Sequence, residues 1–155
     1  MPDLMTHLLI PWAVGRTAAW DRPRLAIFCL GAVLPDLVSR APSIALGRWP
    51  EAASIFSAFH TPIGVLILCL GLVMIFPEQE RARFLSWLLT GAGLHLGLDL
   101  LQLTVRSDNY YWLFPLTFKD FQLGLFWPDQ TVLALPGLMI LVLAAELLRR
   151  RRGRP

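Results

Sequence analysis

The sequence predicts an all-α, polytopic integral membrane bundle of about five helices, in a single domain over residues 1–155. Composition is the first observation behind it. Of the 155 residues 55% are hydrophobic and only 16% charged, with a mean hydropathy of +0.56, which is too apolar for an ordinary soluble domain of this length. The second is the recurrence of apolar runs near the ~20 residues that cross ~30 Å of hydrocarbon. Pro62 to Phe76 with its upstream extension, Phe84 to Thr104 and Thr131 to Leu148 are the strongest, and Leu4 to Ala19 and Leu25 to Val38 are shorter runs that fit within a bundle.

In chain order, the first helix follows Asp3, Thr6 and His7, with a break expected near Pro11 and Gly15. Arg16, Asp21, Arg22, Pro23 and Arg24 make a polar turn. The second helix runs from Leu25 into Leu34-Pro35-Asp36, where proline favours an end or a kink, so Asp36 is expected at a helix terminus. Ser39 to Glu51, with Pro42, Gly47 and Pro50 among Arg40, Arg48 and Trp49, reads as a loop with interfacial anchors. A third helix is expected from Glu51 to Phe76, kinked by Pro62 beside His60. After the charged turn Pro77 to Arg83 comes the fourth helix, Phe84 to Thr104. Val105 to Gln130 mixes aromatic and polar residues, as suits a segment lying at the headgroup level or a lid. Thr131 to Leu148 is the last helix, and Arg149 to Arg152 with Arg154 form a basic tail.

The net charge of +3 does not point to nucleic acid, because the basic residues lie in short loops and one terminal cluster. That distribution fits membrane topology. Placing the tail in the cytoplasm also puts Arg16, Arg22, Arg24, Arg81 and Arg83 inside, against Arg40, Arg48, Arg106 and Lys119 outside, with the N-terminus outside. Met-Pro-Asp at the start lacks the basic region of a removable signal peptide. Cys29 and Cys69 sit in apolar runs and are expected as buried thiols.

The polar residues inside these runs carry the functional reading. His95 and Asp99 are four residues apart, so a helix stacks them on one face, and ionisable groups within a membrane call for a partner. With the N-terminus outside, His7, Asp36 and His60 fall at the same outer depth. Three histidines and up to three aspartates from four helices form a ligand set suited to zinc or a similar divalent metal. Asp3 repeats the four-residue spacing with His7, and Asp129 is a further candidate; Asp108 and Asp120 read as solvated loop charges. Glu146 is expected to pair with Arg149 or Arg150. Gly91, Gly93 and Gly97 are expected to let neighbouring helices approach closely.

In these residues the chain resembles the YdjM-type family of inner-membrane proteins, described as LexA-regulated predicted metal-dependent hydrolases. The match runs through Thr6-His7-Leu8-Leu9, Leu34-Pro35-Asp36, His60-Thr61, Gly93-Leu94-His95-Leu96-Gly97-Leu98-Asp99 and Leu113-Phe114-Pro115. The resemblance implies that His7, Asp36, His60, His95 and Asp99 are metal-binding or catalytic. A more distant likeness is to the helical zinc-dependent phospholipase C architecture. The family often continues Leu-Pro-Asp with a second Asp and a His, where this chain has Leu37, Val38 and Ser39, and its His-Arg-Gly falls at Ile55, Phe56 and Ser57. A single metal with about four protein ligands is therefore expected.

Together these features lead to the expectation of a membrane hydrolase acting on a lipid or lipid-linked ester or phosphoester at the outer face. His60, His95 and Asp99 would hold the metal, His7 or Asp36 would complete the set, and Asp36 is the first choice of general base. Arg40, Arg48 or Arg106 would receive a phosphate or an anionic headgroup. The alternatives are a membrane protein that binds a metal or a proton for passage, and a structural partner subunit. The sequence leaves the oligomeric state open.

Overall fold

The computed structural model describes residues 4–45, 55–103, 111–117, 119 and 121–151. Among these, five α-helices account for most of the chain: α1 (Leu4–Thr17), α2 (Arg22–Ala45), α3 (Pro62–Val73), α4 (Glu78–Leu101) and α5 (Pro128–Arg151), with a 3-10 turn at Ala58–His60. Three are long and apolar enough to cross a membrane: Arg22–Pro42 within α2, Glu78–Leu101, and Asp129–Leu148 within α5. The all-α membrane bundle is the fold found. At 1.5 Å per residue, the 12 residues of α3 fall short of a full crossing.

Several expected boundaries move: α1 runs unbroken through Pro11 and Gly15, α4 takes in Glu78 to Arg83 in place of the expected turn, and α5 extends from Pro128 to Arg151. The second helix does not stop at Pro35-Asp36 but continues through Pro35 and Pro42 to Ala45, so Asp36 lies inside a helix and Arg40 is helical rather than in a loop. Each proline removes one backbone hydrogen bond, yet in an apolar bundle an unwound chain would leave several peptide groups without partners, so keeping the helix costs less. The third helix is interrupted rather than kinked. Thr61, preceding Pro62, is extended at φ −105° and ψ 157°, the conformation favoured before proline. Its hydroxyl accepts from the Gly64 amide at 3.1 Å and donates to the Ala58 carbonyl at 2.7 Å. Pro62 then begins α3 at a position where no amide hydrogen is needed.

The centre of the bundle is the contact of α2 with α4. The buried residues of α4, Leu88, Gly91, Ala92, His95, Leu96 and Asp99, follow helical spacing along one face. Gly91 lies against the α2 backbone, where a Cβ would run into the Phe28 carbonyl and come within 2.9 Å of the Ala32 amide; reciprocally, a Cβ on Gly31 would strike the Leu88 carbonyl. The two backbones therefore touch. Among the described residues, a Cβ on Gly93 or Gly97 would meet nothing within 4 Å, whereas Gly91 sits at a helix interface. Around this contact Leu34, Val65, Cys69, Leu88, Ala92 and Leu96 form the apolar core, with Trp112 packed on it. Cys29 and Cys69 are both buried free thiols.

The segment after α4 is stitched to that helix's end. The amides of Leu123 and Leu125 donate to the Leu100 and Leu101 carbonyls, and the Leu103 amide donates to the Phe126 carbonyl. Terminal carbonyls of α4 thus gain partners. Leu113, Leu116, Phe121, Leu123 and Leu125 of this connection are exposed. Helix α5 packs on α1, where Glu146 forms an ion pair with Arg16; the side chains of Arg149 and Arg150 lie outside the described residues.

Candidate metal centre

Four pieces of backbone bring the chemistry to one place. Helix α4 contributes His95 and Asp99, α2 contributes Asp36, α1 contributes His7 near its start, and the 3-10 turn contributes His60. All five are buried: His7, His95 and Asp99 at 0% exposure, Asp36 at 2% and His60 at 8%. The five residues expected from the sequence thus come together in space. Because His7 is near the start of α1, His60 precedes α3, and Asp99 is near the end of α4, the cluster occupies one end of the bundle.

Asp99 is its hub. Oδ1 lies 3.2 Å from His7 Nε2, while Oδ2 lies 2.6 Å from His60 Nε2 and 3.3 Å from His95 Nε2. Asp36 Oδ1 lies 2.6 Å from Arg40 Nε, 3.6 Å from His60 Nδ1 and 3.8 Å from His95 Nε2. The rings of His7 and His95 are 4.0 Å apart between centroids and tilted by 35°, and His60 meets His95 edge-on at 5.0 Å.

His95 has a fixed orientation. Its Nδ1 is 2.6 Å from the Ala32 carbonyl oxygen, which can only accept, so Nδ1–H donates and the neutral ring keeps its lone pair on Nε2. A backbone carbonyl holding one ring nitrogen in this way leaves the other able to serve as a metal ligand. The α2–α4 backbone contact is what brings that carbonyl within reach.

The other donor atoms fit a metal as well. His7 Nδ1 and Nε2, His95 Nε2, Asp99 Oδ1 and Asp36 Oδ2 are buried side-chain atoms without a hydrogen-bond partner. Asp36 Oδ1 also lacks hydrogen-bond geometry but sits within ion-pair distance of Arg40, and the short separation makes that attraction the better description. Buried polar atoms are rarely left so, since each costs about 1–3 kcal/mol. Two sets place their ligand atoms within 4.8 Å of one another: His7, His95 and Asp99, and Asp36, His60 and His95. Ligands about 2.0–2.1 Å from a tetrahedral zinc lie roughly 3.3 Å apart, close to the 3.2 and 3.3 Å separations of His7 and His95 from Asp99.

The remaining candidates fall elsewhere. Asp129 is exposed in the first turn of α5, apart from the buried cluster. Arg40 is engaged with Asp36. Asp3, Arg48, Arg106, Asp108 and Asp120 lie outside the described residues. Sequence reasoning passed over Ser39, whose Oγ lies 3.3 Å from His60 Nδ1, and Thr6 and Gln102, both buried. The position of Gln102, one turn beyond Asp99, was a usable signal. Ser39 gives none, because the prolines around it predict a loop there.

No curated protein and no solved structure matches the chain, so the distant likeness to zinc-dependent phospholipase C gains no support. The family model described as YdjM inner membrane protein matches residues 1–154. With its apolar helices and that match over nearly its whole length, the chain belongs to the YdjM inner membrane protein family.

Proposed function

We propose that this protein is a membrane-embedded, metal-dependent hydrolase acting on a lipid or lipid-linked ester or phosphoester at the outer face. The observation that carries the proposal is the buried Asp99 carboxylate facing three imidazoles, with donor atoms of His7, His95 and Asp99 left without hydrogen-bond partners. His7, His95 and Asp99 would hold the metal, most readily zinc given nitrogen and oxygen donors at near-tetrahedral spacing. When bound, such a metal supplies Lewis acidity toward the scissile group and toward water.

The chain's own groups support the remaining roles. Asp36 would take a proton from the attacking water, a reading supported by its Oδ2 having no hydrogen-bond partner and by the pairing of its other oxygen with Arg40. Arg40 is partly exposed and adds positive charge where an anionic headgroup would arrive. An apolar crevice between α1 and α5, lined by Ile10, Val14, Leu138 and Val142 among others, begins one turn along α1 from His7 and suits an acyl or prenyl chain. The charge asymmetry of the loops supports an outward-facing site with the N-terminus outside and the C-terminus cytoplasmic.

A passage role finds less support. Among the described residues the buried polar side chains are Thr6, His7, Asp36, Ser39, His60, Thr61, His95, Asp99 and Gln102, all toward one end of their helices. A conducting path needs them toward both ends. The test of the hydrolase reading is release of water-soluble product from phospholipids and prenyl phosphates in proteoliposomes, before and after chelation. Release that chelation and Asp99→Asn both abolish supports it; release indifferent to both contradicts it.

A further inference from the structure

We infer that Gln102 selects the headgroup of the lipid: its Oε1 accepts a hydrogen bond from an N–H or O–H that the headgroup carries beyond the phosphoester. The inference rests on the lipid-hydrolase reading above and narrows the substrate class within it. Gln102 follows Asp99 by three residues, closes the end of α4 and is only 1% exposed. Its Nε2 lies 3.2 Å from Thr131 Oγ1, while its Oε1 is buried without a hydrogen-bond partner. A methionine would fill the same space and leave nothing unmet, whereas a buried carbonyl oxygen without a donor costs stability.

The backbone holds this amide in place. Gln102 pairs with Phe126 as a parallel bridge. The Leu103 amide donates to the Phe126 carbonyl at 2.8 Å, and the Leu125 amide donates to the Leu101 carbonyl at 2.7 Å. The side chain is thereby kept where the end of α4, the segment at 121–127 and the start of α5 meet.

Its level in the bundle says what the missing donor is. Helices α1 and α5 both begin at the end that holds the candidate metal centre and run side by side, with Arg16 and Glu146 paired toward their far ends. On α5, Thr131, Leu135, Leu138 and Val142 recur at helical spacing, and the last two line the apolar crevice. On α1, His7 is followed at the same kind of spacing by Ile10 and Val14 of that crevice. From the crevice outward the order is therefore apolar side chains, then His7 with Asp99, then Gln102 with Thr131. A phospholipid runs in the same order, from hydrocarbon through the phosphoester to the headgroup alcohol. With a tail in the crevice and the phosphoester beside Asp99, the headgroup is what reaches Gln102. A phosphate oxygen without hydrogen only accepts and cannot satisfy Oε1, whereas an ammonium or a hydroxyl can. A site shaped around such a donor rejects the analogue that lacks it.

The experiment is lipid competition on the full chain in detergent, read by native mass spectrometry, with two pairs of probes of matched acyl chains. Phosphatidylethanolamine carries the N–H donors that phosphatidylcholine lacks, and phosphatidylglycerol carries the hydroxyls that phosphatidylmethanol lacks. Wild type should favour the donor-bearing member of at least one pair, by about 10–100-fold for an ammonium or about 2–10-fold for a hydroxyl. The pair that responds identifies the donor. Gln102→Met should bind both members equally, and Gln102→Glu, which keeps an acceptor there, should retain the preference. Equal binding within both pairs by wild type, a preference that survives in Gln102→Met, or its loss from a folded Gln102→Glu protein overturns the inference. Should Gln102→Met not fold, wild type and Gln102→Glu still decide. A preference without any hydrolysis in proteoliposomes would sink the hydrolase reading and leave headgroup selection standing; hydrolysis without a preference would do the reverse.

Discussion

His95 Nδ1 donates to the Ala32 carbonyl oxygen at 2.6 Å, tying the imidazole of one spanning helix to the backbone of another. The bond exists because Gly31 and Gly91 let α2 and α4 approach until their backbones touch. It fixes the His95 ring so that Nε2 faces Asp99 and Asp36. Helix packing and site chemistry are thus one feature of this molecule.

Gly91→Ala should be severe, because the new methyl meets α2 backbone, which cannot swing away. A loss of about 1–3 kcal/mol or more is expected from such overpacking. Gly93→Ala and Gly97→Ala place their methyls in open space and should be neutral or slightly stabilising. Thermal unfolding of the three variants in one detergent checks the ordering, and equal losses from all three would contradict it.

Thr61→Ala removes the cap of α3 together with the bond that holds the turn carrying His60. The expected cost is about 1 kcal/mol, largely recovered in Thr61→Ser. The same Ala variant should weaken metal binding, since His60 borders the break. Unfolding midpoints and zinc titration on the pair of variants measure both effects.

Much of this was legible in the chain. The apolar runs and loop arginines gave a helical membrane bundle, and the spacing of His95 and Asp99 placed both on one buried face. The break before Pro62 was visible, but its form was not, because it depends on a Thr61 hydroxyl bonding both ways. The course of α2 through Pro35 and Pro42 was hidden for a deeper reason. Proline rules describe chains that can turn to water for lost hydrogen bonds, and this helix lies in a bundle that offers none. A second helix ending at Pro35 leaves Ser39 and Arg40 in a loop, from which their contacts with His60 and Asp36 cannot be foreseen.

The ion pair of Arg16 with Glu146 ties α1 to α5, and both side chains are only partly exposed. Removing either partner leaves the other poorly solvated, so Arg16→Ala or Glu146→Ala should each lower stability by about 1–3 kcal/mol. The exchange Arg16→Glu with Glu146→Arg should recover part of the loss. Unfolding curves for the singles and the double exchange provide the check, and a double variant no better than the worse single would argue against direct pairing.

Asp36→Asn retains the size of the side chain but removes the proton acceptor assigned to water. Hydrolysis should fall by at least the ~10²-fold contributed by a general base, while metal content stays at the wild-type level because Asp36 lies outside the ligand set of His7, His95 and Asp99. Parallel turnover and metal assays on the variant separate these effects. Loss of the metal itself would move Asp36 into the ligand set.

The most direct measurement is elemental analysis of protein purified in detergent, comparing wild type with Asp99→Asn and His95→Ala. The account predicts about one divalent metal ion per chain in the wild type, as three protein donors around one centre imply, and little or none in either variant. A wild type without stoichiometric metal, or variants that retain it in full, would contradict the metal centre.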